Sequence, residues 1–299
     1  MPRRHGSGSR AFVHAARRQL HESERHRNVL GVAYGQRQVR GEWTNQHGIV
    51  VFVTRKPRRG TVPEDDEILP RHLYVHDNGH RHKVPVDVVS VGGARGRFAV
   101  ALDDCIATTS GGSPAGCVSW FQGGVAITAE HVTGFGGVGV PVYAGGAGLG
   151  KVTHTAYETT HLDAARFDPP DGMSLQNVIH GTTVSVSAAR YVTGDDVFTG
   201  SNYAFAYPPS AGGSRTQVVV RAVHATGTFP FTVGGATYYP STLILTDPCT
   251  LPGDSGCVLL GSDGLAIGLL TGLVDTPNGH SYSLFTELGP ALDVLVPSW

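Results

Sequence analysis

Apolar and polar positions alternate with two different rhythms along the chain. Near the start, Phe12, Val13, Ala16 and Leu20 recur at helical spacing, so residues 10–27 predict a basic amphipathic helix. Residues 29–34 predict a short strand, and residues 48–54 a longer one rich in Val and Ile. An acidic first turn after Pro63 predicts a short helix over residues 63–69. Asn78-Gly79 predicts a hairpin turn between strands at 73–77 and 80–91. Residues 1–95 therefore read as a small α+β unit that offers no chemistry of its own.

The rhythm changes around Gly92-Gly93. Short runs of Val, Ala, Thr and Ile at 123–128, 138–142, 182–187, 217–223 and 242–246 alternate with Gly, Pro, Asn and Asp. Many short strands with regular turn signals predict a sandwich or barrels. Residues 287–296 predict one closing helix. The expected units are thus 1–95 and 96–299. Composition agrees: in 299 residues, 40% are hydrophobic, 16% are charged and 41 are glycine, as expected of a turn-rich β body with a real core.

The net charge of −1 hides an asymmetry. Residues 1–60 carry 13 Lys and Arg against 3 acids, and residues 96–299 carry 6 against 15, which predicts two regions with different roles or mutual docking. The basic residues form no aromatic-basic recognition motif, so nucleic acid is not an expected partner. The basic helix at 10–27 is a candidate docking element for a regulator. Residues 1–30 show no apolar core of a signal peptide, and no run of 18 apolar residues occurs, so no membrane partner is expected. Cys105, Cys117, Cys249 and Cys257 are too few for a disulfide scaffold and match no zinc spacing. They read as reduced and buried, and the expected location is cytoplasmic. His72, His76, His80 and His82 cluster around a hairpin, whose turn would splay them apart, so no metal site is assigned.

Three short segments carry chemistry. Pro252-Gly253-Asp254-Ser255-Gly256 places a serine between glycines. A serine hydroxyl needs a neighbouring base to act as a nucleophile. The glycines let the backbone turn so that the Gly253 and Ser255 N–H groups point to one spot, where oxygen charge develops in acyl transfer. Ala126-Ile127-Thr128-Ala129-Glu130-His131-Val132 puts one imidazole at the end of an apolar strand. His161-Leu162-Asp163-Ala164-Ala165 sets one carboxylate among small apolar residues, as expected beside an imidazole. Asp168 and Asp171 are rivals for that role, in a Pro-rich setting that reads as an exposed turn.

In this order and with these words, His131, Asp163 and Ser255 resemble the catalytic residues of trypsin- and chymotrypsin-like serine proteases. Gly-Asp-Ser-Gly matches the nucleophile signature of that family. Thr-Ala-Glu-His departs by one residue from its usual Thr-Ala-Ala-His. The resemblance covers residues 98–299, and the preceding unit is similar to N-terminal extensions of some bacterial trypsin-like peptidases. It implies a mostly β chain with two six-stranded antiparallel β-barrels of the chymotrypsin fold. It also implies a serine endopeptidase that cuts protein or peptide substrates through an acyl-enzyme and needs no cofactor. An α/β-hydrolase is excluded, because it requires Gly-x-Ser-x-Gly and the order Ser, acid, His. A weakly active binding or scaffold protein on a protease fold and an esterase are the competing classes.

The resemblance further implies that Cys249, six residues before Ser255, forms the floor of the primary specificity pocket. A slip of two residues would put Asp247 there instead. Thr271, Gly272 and Leu273 are similar to the segment that pairs with substrate backbone by strand addition. A neutral floor and a Leu273 wall imply a small or medium uncharged residue before the cut. Cys249 and Cys257 are close enough in sequence to permit a bridge, but the reduced reading is preferred. Asp254, if buried, needs a partner. That partner is either a new amine, cut near Val91-Gly92-Gly93, or an internal group.

Overall fold

The computed structural model describes residues 6–21, 26, 28–39, 42–54, 56, 68–77, 79–91, 94–95, 105–108, 115–135, 137–144, 147–170, 177–179, 182–198, 200–227, 229–233, 236–276 and 279–299. The expected helix at 63–69 and the Gly92-Gly93 segment lie outside the described residues, apart from the irregular stretch at 68–69.

Two closed six-stranded antiparallel barrels make up the larger part. The first comprises β6 (Cys105–Ala107), β7 (Gly116–Gln122), β8 (Val125–Thr128), β9 (Pro141–Ala144), β10 (Ala147–Thr155) and β11 (Ala165–Asp168). Its strands close in the order β10-β11-β8-β7-β6-β9. Trp120, Ile127, Val152 and Phe167 fill its interior. The second comprises β12 (Tyr203–Ala206), β13 (Thr216–Gly227), β16 (Leu243–Thr246), β17 (Val258–Leu260), β18 (Ala266–Asp275) and β19 (Ser281–Glu287). Here β12-β17-β18-β19-β16-β13 form the path, and β12–β13 pairing closes it. Val218, Val220, Leu259, Ile267 and Phe285 pack within this barrel. The expected closing helix is α3 (Leu288–Leu295). It leaves the second barrel yet packs Leu288, Leu292 and Leu295 against the core of the first. The expected strand at 182–187 is instead a locally bonded loop with one isolated bridge, Val178–Ser185.

The N-terminal strands join the second barrel edge to edge. β1 (Val29–Val39) pairs antiparallel with β13 through Gly31–Gly227 and Gly35–Ala222. β2 (Glu42–Val53) pairs with β1, and β4 (His80–Ser90) runs parallel to β2 and pairs with β3 (His72–Asp77). Thus β13 pairs β12 along Thr216–Val219 and β1 along Ala222–Gly227. β1 is longer than its apolar pattern predicts. Its polar half is held by side-chain bonds instead: the Gln36 amide donates to the Val197 carbonyl, and Arg221 donates to the Gln36 Oε1.

Both faces of β2 are buried from Gly48 to Val53, which explains the unbroken Val and Ile run there. Val50 and Phe52 pack with Phe229, Leu243 and Leu284 of the barrel side. Ile49, Val51 and Val53 pack beneath helix α1 (Gly6–Ala16) with Val13, Ala16 and Leu20. The expected helix at 10–27 therefore starts earlier, and α1 runs on into a π turn, Arg17–His21, that keeps Leu20 buried; residues 22–25 and 27 lie outside the described residues. Its apolar side is covered by this chain's own sheet. His82, one of the clustered histidines, packs against Phe12 at 5.3 Å between ring centres. Among the described residues, no helix is long and apolar enough to cross a membrane.

Candidate active site

The end of β8 delivers His131. Thr128 closes the strand by donating its hydroxyl to the Cys117 carbonyl at 2.8 Å. The chain then enters a short 3-10 helix, Glu130–Thr133, that buries the imidazole at 5% exposure. Asp163 arrives from the other side of the same barrel. Helix α2 (Tyr157–Thr160) ends on His161 at φ 58, a left-handed turn that histidine tolerates better than most residues. The second barrel clamps this loop, because Ser241 N–H donates to the His161 carbonyl at 2.8 Å.

Asp163 is 1% exposed and holds His131 twice. Its Oδ1 accepts the His131 backbone N–H at 2.9 Å, and its Oδ2 lies 2.7 Å from Nδ1. A carboxylate can only accept, so Nδ1 carries the hydrogen, and in the neutral imidazole Nε2 presents the lone pair. The rival Asp168 sits at the end of β11, bonded to Arg166 and Thr153 with its side chain 44% exposed. Asp171 lies outside the described residues.

Ser255 lies between β16 and β17 on two linked turns. Asp254 N–H donates to the Leu251 carbonyl, and Cys257 N–H donates to the Asp254 carbonyl. The third residue of each turn is a glycine at positive φ, 101° at Gly253 and 84° at Gly256, conformations that side chains resist. Neither the Gly253 nor the Ser255 N–H donates to another group among the described residues. The turn is docked on the first barrel: Cys117 N–H donates to the Ser255 carbonyl at 2.8 Å. A Cβ on Gly116 would lie 2.4 Å from the Val132 side chain and 2.5 Å from the Ser255 carbonyl oxygen, so the neighbour of His131 and the Ser255 backbone meet across one glycine. No hydrogen bond joins the Ser255 hydroxyl to His131. Such bonds are often long in unliganded sites and tighten around substrate.

Asp254, 1% exposed, has internal partners. Its carboxylate accepts the Ser210 N–H at 2.8 Å, the Ser210 hydroxyl at 2.6 Å and the Leu251 N–H at 2.6 Å. These bonds satisfy the buried charge without a new amine. Asp247, the alternative pocket floor, is paired bidentately with Arg221 at 2.7 and 2.9 Å. The Cys249 amide and the Thr250 hydroxyl both meet the Ser283 hydroxyl, giving a neutral polar cluster there. Burial pushes the Cys249 thiol up to about 11 and raises the Cys257 thiol further; both are free thiols. Thr271 is buried and bonded to Thr286, whereas Gly272 and Leu273 remain partly exposed on β18.

Three features carried no sequence signal. Ser210 contacts Asp254 across 44 residues of chain. Glu130, the residue that departs from the family word, is 2% exposed and accepts the Tyr157 N–H at 2.9 Å. Burial lifts its carboxyl from 4.5 to about 7, with the Asp163 charge adding to the rise and the Tyr157 bond opposing it. An aromatic bridge also spans the two barrels. It is built on the hairpin of β14 (Phe231–Val233) and β15 (Ala236–Tyr238), where Tyr238 stacks on Phe135 at 3.5 Å. Phe135 in turn lies 6.4 Å from the His131 ring.

No family model matches the sequence, and no curated protein matches it. Solved structures do match. One is a glutamic acid specific serine protease described as using a novel histidine triad in substrate binding: 20% identity, covering 64% of this chain and 96% of that one, TM-score 0.46. Cellulomonas bogoriensis chymotrypsin is 21% identical, covering 66% and 95%, with TM-score 0.47. Nocardiopsis protease is 21% identical, covering 67% and 96%, with TM-score 0.45. The chain is thus similar to bacterial chymotrypsin-like serine proteases over about two thirds of its length.

Proposed function

We propose that the chain is a serine endopeptidase with Ser255 as nucleophile, His131 as general base and Asp163 as the group that orients it. The observation that carries this reading is the double contact of Asp163 with His131 beside a serine whose turn leaves two N–H groups unspent. His131 Nε2 takes the Ser255 proton as the oxygen attacks a peptide carbonyl. The Gly253 and Ser255 N–H groups hold the oxyanion, and Asp163 stabilises the imidazolium. His131 then protonates the leaving amine, and water, activated by the same imidazole, releases the acyl group.

The neutral hydroxyls of Ser283 and Thr250 at Cys249 and the pairing of Asp247 with Arg221 favour an uncharged residue before the cut over Arg or Lys. A second reading is a weakly active binding protein on this fold. A small fluorophosphonate probe separates the two. An active site labels at Ser255 and loses labelling in Ser255→Ala and His131→Ala. Folded wild-type protein that takes up no probe refutes the protease.

A further inference from the structure

The two edges of β18 have different occupants. One pairs with β19 from Gly268 to Asp275. The other starts with β17, at Val258–Leu269 and Leu259–Gly268. It then meets the nucleophile turn, where Gly256 N–H donates to the Leu270 carbonyl and Leu270 N–H to the Cys257 carbonyl. Thr271 and Gly272 follow with no partner strand on that edge among the described residues. Beyond them the edge is occupied again: β5 (Ala94–Arg95) pairs antiparallel, with Arg95 opposite Leu273 and Ala94 opposite Val274.

This edge runs away from Ser255, and a sheet edge with unpaired groups is where an extended peptide adds as a strand. The direction of β5 matters. From Ala94 to Arg95 the chain runs toward Gly272, Thr271 and the Ser255 turn. A bound peptide in the same register and direction would come opposite Thr271, beside the Ser255 turn, two residues after the one opposite Leu273. Peptide lying there would present a carbonyl to Ser255 in the same sense.

We infer that Ala94–Arg95 occupies the peptide-binding edge of β18 in cis, so that the N-terminal unit is a built-in competitor that an incoming peptide must displace. The inference rests on the protease reading, since it gives that site its first ligand. A tethered strand acts at high effective concentration, even when two residues of pairing are weak on their own. Peptide then binds only the fraction of molecules in which the edge is free, and its apparent affinity falls by that fraction. A small phosphonylating reagent, which makes no strand contacts, is not affected.

The test compares a small and an extended reagent on the full chain. Wild type and an Ala94→Pro/Arg95→Pro double variant are titrated with a small alkyl fluorophosphonate and with a tri-alanyl phosphonate. Proline removes the ladder N–H at either position. Labelling by the tri-alanyl reagent is expected to rise at least about tenfold in the variant, with small-probe labelling unchanged. Equal tri-alanyl rates in the two proteins overturn the cis-strand inference but leave the protease intact. No Ser255 labelling by the small probe overturns both. If the double variant does not fold, amide hydrogen exchange of wild type supplies the readout. Excess tri-alanyl phosphonate should label Ser255 while increasing exchange at Ala94 and Arg95; unchanged exchange on full labelling overturns the inference.

Discussion

Replacing Glu130 by Gln isolates a buried acid beside the candidate triad. Glu130 is 2% exposed, with its Oε2 bonded to the Tyr157 N–H, a bond that a glutamine oxygen can also accept. In the folded chain its carboxyl holds a proton up to about pH 7, whereas the ordinary value is 4.5. Between those limits the folded state binds more protons than the unfolded state, so stability falls as pH rises. The benefit is complete below 4.5 and is gone above about 7. The gap corresponds to about 3 kcal/mol, a large share of a typical folding free energy. Glutamine has no charge to gain. Urea denaturation of both proteins from pH 4 to 8 should therefore show Glu130→Gln gaining on wild type by about 3 kcal/mol across the window. Taking the difference cancels the titrating groups that do not interact with Glu130. A difference that stays constant from pH 4 to 8 refutes the reasoning.

Two further substitutions probe the joint between the His131 and Ser255 turns. Gly116→Ala drives a methyl into Val132 and the Ser255 carbonyl; it should cost about 1–3 kcal/mol and slow fluorophosphonate labelling more than tenfold, as read by denaturation and probe kinetics. Labelling at the wild-type rate would show that the two backbones can separate without consequence. Asp254→Asn turns one acceptor into a donor facing the Ser210 and Leu251 groups, and should lower stability by about 2–4 kcal/mol in thermal denaturation while widening the oxyanion turn. An unchanged melting temperature would remove the carboxylate from its structural role.

The barrels were legible because their strands are short, apolar and separated by Gly, Pro and Asn, which is local information. The site words were local too: Gly253 and Gly256 mark turns that require positive φ, and Thr128-Ala129-Glu130-His131 marks a strand end. What could not be read was the partner of each element. β1 meets β13 nearly two hundred residues away, and no periodicity encodes which edge it joins. The same holds for Ser210 with Asp254 and for β5 with β18. The pattern also undercalled β1, because its polar half is held by Gln36, Val197 and Arg221 and not by buried alternation.

The edge shared by β12 and β1 bears on how the molecule can be divided. Ala222, Val223 and Ala225 are fully buried on the part of β13 that β1 covers. A fragment starting after residue 95 would lose that cover, baring backbone donors and acceptors next to an apolar face. Such an edge recruits other chains. Cutting the polypeptide between the two regions therefore need not release the first one, and recombinant fragments of the barrels alone should be prone to self-association.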